Sequence, residues 1–90
     1  MLDIVANKSN LVVIGIDNHQ FLYSYKTLVA AFYSGIGYVK SNMFYSATTS
    51  KHIFAFCDHK PVIVTEDELR ELLFAALADY VGNSKQEIEK

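Results

Sequence analysis

The residues of this 90-residue chain best equipped for chemistry are Thr48, Thr49, Ser50, Lys51 and His52, a run of three hydroxyls, a cation and an imidazole. At the start of a helix, such a run offers free backbone amides and hydroxyls to a phosphate or carboxylate, with Lys51 and His52 supplying charge. The same hydroxyls are what a helix uses to cap its own amides. No glycine stands among them to let a phosphate reach the backbone, as a phosphate loop requires. Capping is therefore the first reading, and an anion or small-ligand site the second.

Cys57 is the single cysteine, so no intramolecular disulfide forms, and a reducing compartment is expected. His52 and His59 lie near it in sequence, but their spacing matches no thiolate–imidazole signature. A lone cysteine on an apolar helix face usually packs in a core. His19, His52 and His59 lack ligand spacing and a companion carboxylate cluster, so no metal is expected. No catalytic constellation and no cofactor motif emerges, and the chain reads as a non-enzyme.

The elements that must hold these residues follow from hydrophobic periodicity. Residues 11–16 are a β-branched run ended by Asp17 and Asn18, which suit a turn. Residues 20–33 keep a period of two over a length that calls for a bend near Ser24, Tyr25 and Lys26. Ser34 and Gly35 signal a hairpin that returns as a strand at residues 37–40. A short helix is predicted to start near Ser50, with Ile53, Phe56 and Cys57 on one face. It ends before Pro61, which precedes a short strand at residues 62–64.

Thr65 and Glu68 then form a capping box for the last helix, whose first turn carries three acids at the positive end of its dipole. Leu69, Leu72, Leu73, Ala76, Leu77 and Tyr80 make its core stripe, and Gly82 and Asn83 supply a stop. The fold class is α+β, in the order β-β-β-β-α-β-α. An antiparallel meander of three to four strands plus one short strand has one face covered by two helices. Residues 1–82 form a single domain, and residues 83–90 a polar tail.

Ser24-Tyr25-Lys26-Thr27, a glycine-containing hairpin, and the stretch from Tyr45 and Ser46 through Thr48, Thr49, Ser50 and Lys51 to His52 together resemble small proteins encoded by tailed bacteriophages. The resemblance covers residues 21–54. It implies a viral protein acting in the cytoplasm of an infected bacterium, and it brings no catalytic role with it.

Two surfaces bear on partners. Tyr23, Tyr25 and Tyr33 would stack nucleobases if their sheet face were open, and pack beneath helices if it were not. The formal charge of −2 disfavours nucleic acid, because phosphate binding draws on a basic excess. The last helix has apolar positions spanning roughly 200° of its circumference, wider than an ordinary core stripe. Phe74 and Val81 sit at the edge of that arc, and Ala75 and Ala78 keep part of the outer face small. This is either a thick core or a protein interface, including a homodimer seam. No apolar run reaches the roughly 20 residues a membrane span needs, and residues 1–5 lack the features of a signal peptide. The functional expectation is a non-enzymatic phage accessory protein that binds and modulates a host or phage macromolecule, as a host-takeover or anti-defence inhibitor, with a small-ligand or anion-binding module at the Thr48–His52 helix N-terminus as the alternative.

Overall fold

The computed structural model describes residues 2–8, 10–58 and 60–89, with side chains described as far as Gly82. The chain is α+β. Its strands are β1 (Leu2–Lys8), β2 (Leu11–Ile16), β3 (His19–Ser24), β4 (Thr27–Tyr33), β5 (Gly37–Ser41) and β6 (Val62–Val64). Helix α1 (Ala47–Phe56) joins β5 to β6, and α2 (Glu66–Glu89) follows β6. Among the described residues the sheet has six strands in the order β1-β2-β3-β4-β5-β6. Pairing is antiparallel throughout except for the parallel β5–β6 pair.

Several expectations change. Residues 2–8 form a strand that alternation alone did not single out, and it pairs with β2 as an edge. The long strand expected over residues 20–33 does not bend but reverses, with Tyr25 and Lys26 as a two-residue loop between Ser24 and Thr27. Both loop residues have positive φ, 50° and 67°. That is the backbone of a primed hairpin turn, which matches strand twist but normally calls for Asn or Gly.

The helices lie on opposite faces of the sheet rather than on one. Beneath α2, which runs over β4, the buried cluster is Ile16, Phe21, Ala31, Val39, Leu69 and Ala76. Beneath α1, which lies over β3, it is Val13, Leu22, Val29, Ala30 and Ile53. Neighbours Phe21 and Leu22 are both fully buried because each meets its own helix. A bulge between Leu22 and Tyr23 of β3 and their β4 partners leaves Val29 unmatched. Val29 and Ala30 are thereby both buried against the α1 side, as a bulge that changes parity requires.

Helix α1 begins earlier than Ser50. Ser46 is the N-cap, its Oγ accepting from the Thr49 N–H at 3.3 Å, and the Ser50 N–H already donates to the Ser46 carbonyl at 2.9 Å. The Thr65–Glu68 box forms as expected: Glu68 N–H donates to Thr65 Oγ1 at 3.1 Å and Thr65 N–H to Glu68 Oε1 at 3.0 Å. The stop at Gly82 and Asn83 does not operate, since the α2 backbone continues to Glu89. A helical glycine costs only about 1 kcal/mol relative to alanine, and Lys85, Gln86 and Glu87 are good helix formers. The polar residues 83–89 thus extend the helix backbone; their side chains lie outside those described, as do all of His59 and Lys90.

Candidate functional site

The chemically rich run does not converge on one point. Thr49 is buried and His52 half-buried, both turned toward β3, while Thr48, Ser50 and Lys51 are exposed. What gathers Thr49 and His52 is Ser24, at the end of β3 and only 2% exposed. Its Oγ lies 2.9 Å from Thr49 Oγ1 and 2.9 Å from His52 Nδ1. The Ser46 hydroxyl donates to Thr49 Oγ1 at 3.3 Å. If Thr49 donates to Ser24 and Ser24 to Nδ1, each hydroxyl proton is used once and the imidazole is the terminal acceptor. The spacing of Thr49 and His52, three residues apart on one helix, puts both on the face that meets Ser24.

A serine beside an imidazole invites a nucleophile reading, and the geometry argues against it. Ser24 is sealed beneath α1, leaving no approach for an acyl group. Among the described residues no carboxylate hydrogen-bonds to His52. The network clamps α1 to β3. Sequence inspection missed Ser24 as its centre, because only the hairpin at Tyr25 and Lys26 brings the end of β3 under α1.

The remaining single residues have local partners too. Cys57 closes α1, donating its N–H to the Ile53 carbonyl at 2.9 Å. Burial pushes its thiol pKa up, against a smaller downward pull from Lys40, the reverse of what an activated thiolate needs. The pairing with His59 lies outside the described residues. His19 stacks on Tyr33 with centroids 3.9 Å apart, and its Nδ1 accepts from the Ser34 N–H at 3.0 Å. Among the described residues no three of His, Cys, Asp and Glu gather as metal ligands.

The tyrosines do not make a shared platform. Tyr23 packs against the α2 side core, where burial raises its phenol pKa. Tyr33 lies against His19, and Tyr25 projects from the β3–β4 turn with its ring centroid 6.4 Å from that of His52.

The open chemistry is apolar. On α2, Phe74 is 62% and Val81 59% exposed, and Ala75 and Ala78 are also on the solvent side. The thick-core reading of this arc is thereby excluded for these four residues. Beside that flank α2 leaves the first strands bare: Leu2 and Ile4 are 49% and 59% exposed. With Ile14, Ile16, Tyr23, Leu73 and Leu77 they line a groove of about 610 Å³. Leu2 and Ile4 pair with Ile16 and Ile14, so four aliphatic side chains form one floor.

The DUF8033 family, a family of unknown function, matches residues 3–71. The chain belongs to the DUF8033 family. In this DUF8033 chain the match takes in the sheet, α1 and the first turns of α2, and ends just before Phe74. No curated protein and no solved structure matches it. No helix among the described residues is long and apolar enough to cross a membrane.

Proposed function

We propose that this DUF8033 chain is a non-enzymatic accessory protein of a tailed bacteriophage that binds and modulates a host or phage protein in the cytoplasm of the infected cell. The observation that supports binding is the exposed apolar surface of α2, Phe74 and Val81, together with the bare floor of Leu2 and Ile4, which Leu73 and Leu77 of the same helix border. Burying a side chain such as Phe is worth about 1.5–3 kcal/mol, and apolar residues around a concave floor are the usual anchors of a protein interface. Where no target is present, the same flank is expected to pair two protomers. The phage assignment draws support from the Ser24 to His52 resemblance.

An enzyme has less support, because Ser24 and Thr49 are buried and Ser24 is committed to hydrogen bonds with Thr49 and His52. The anion site at Thr48–His52 also loses support, since two of its five residues turn inward.

Affinity capture from infected cells tests the proposal. Ile4→Lys on β1 and Phe74→Glu on α2 lie far apart in sequence, and Tyr23 and Leu73 line both the Ile4 groove and the adjoining depression at Phe74, so both variants should lose the same partner that the wild type retains. Retention of every captured protein by both variants would overturn it.

A further inference from the structure

On the sheet face opposite the α2 flank, α1 sits over β3 and leaves the β5–β6 edge uncovered. The gap is a pocket of about 780 Å³, within the range of small-molecule sites. Its walls are mixed: Ile53 and Phe54 from α1, Met43 and Phe44 from the loop after β5, and Ile63 from β6 supply apolar surface, and Asn42, Tyr45 and Ser50 supply polar groups. Into it comes one cation from the floor. Lys40 lies in register with Ala30 on one side and Ile63 on the other. Ala30 is fully buried against α1, so Lys40 stands on the core-facing side of β5.

Lys40 is half-buried, and among the described residues it has no ion-pair partner. Cys57 also lines the pocket, and the Lys40 charge pulls its thiol pKa down against the larger effect of burial. An anion entering the pocket would meet this half-buried ammonium as a charge-assisted hydrogen-bond donor. Lys60 and Asp58, which also line the pocket, offset each other in charge. Among the described lining residues the formal charge therefore sums to a single positive one, beside both hydrocarbon and uncharged polar groups.

We infer that this pocket binds a small amphipathic carboxylate, its apolar body against Ile53, Phe54 and Ile63 and its carboxylate against Lys40. The site is separate from the α2 flank and lies on the other face of the sheet, so either assignment stands or falls alone.

Octanoate and 1-octanol, titrated into the isotope-labelled full chain and followed by amide chemical shifts, test it. Octanoate should move the amides of Lys40, Ile53, Phe54 and Ile63 at millimolar concentration, and octanol should do so more weakly. Lys40→Met, which keeps the apolar stem, should weaken octanoate about ten- to hundredfold, the usual worth of a hydrogen bond to a charged group. It should leave octanol unchanged. Phe54→Ser removes an exposed wall residue and should weaken both ligands without a change in melting temperature. Failure of octanoate to move these amides would overturn the inference. Equal affinity for octanoate and octanol, or octanoate binding unaffected in Lys40→Met, would do the same.

Discussion

The contact between α1 and β3 and the outer flank of α2 divide the molecule's chemistry in an unexpected way. At the first, Ser24, Thr49, His52 and Ser46 carry the hydroxyls and the imidazole that a reader would single out, and they spend them on one another. Ser24 is 2% exposed. At the second, Phe74, 62% exposed, and Val81 have no polar chemistry and face solvent beside an open aliphatic floor. A buried polar group must find partners inside the fold, so reactive-looking residues are often structural when they are sealed. A large exposed apolar surface has no such internal reason, and under the proposed function it is where the partner binds.

That contrast can be broken by substitution. Ser24→Ala should be the more damaging change: it leaves Thr49 Oγ1 and His52 Nδ1 without their shared partner and should cost about 1–3 kcal/mol in urea unfolding. Phe74→Ser, much the larger change in side-chain chemistry, should stay within about 0.5 kcal/mol of wild type. Similar costs for both would erase the distinction between a sealed clamp and an open flank.

A smaller effect of opposite sign sharpens the description of the clamp. Tyr25 and Lys26 hold the left-handed backbone that brings Ser24 under α1, and each non-glycine residue there costs about 1–2 kcal/mol. Tyr25→Asn with Lys26→Gly should therefore raise stability by about 1–2 kcal/mol in thermal or urea unfolding. A loss of stability would mean that the Tyr25 ring beside His52 contributes more to the fold than the turn geometry costs it.

The α+β class, β2, β5, β6 and the capping box of α2 were legible because each rests on local chemistry: β-branched runs, turn residues, and a Thr65–Glu68 pair. What escaped were features decided at a distance. Consecutive fully buried residues, Phe21 with Leu22 and Ala30 with Ala31, are the trace left by a sheet packed on both faces. The strict alternation read across residues 20–33 ran through both the reversal and the bulge that broke it. Strand β1 was hidden because its alternation breaks at Val5, where the pairing with β2 shifts register. The width of the apolar arc on α2 was visible in sequence, but which part of it faces solvent depended on where the sheet lies. The Thr48–His52 run was visible as a cluster, and only the position of Ser24 decided that Thr49 and His52 turn inward.

The proposed function requires the flank of α2 to be a binding surface and no part of the core. Phe74→Glu tests it most directly when circular-dichroism melting is read together with retention of the partner captured by the wild type. A charge at an exposed position should leave the melting curve within a few degrees of wild type and abolish the complex. A collapse of the fold would place Phe74 in the core, and a folded variant that keeps its partner would contradict the account.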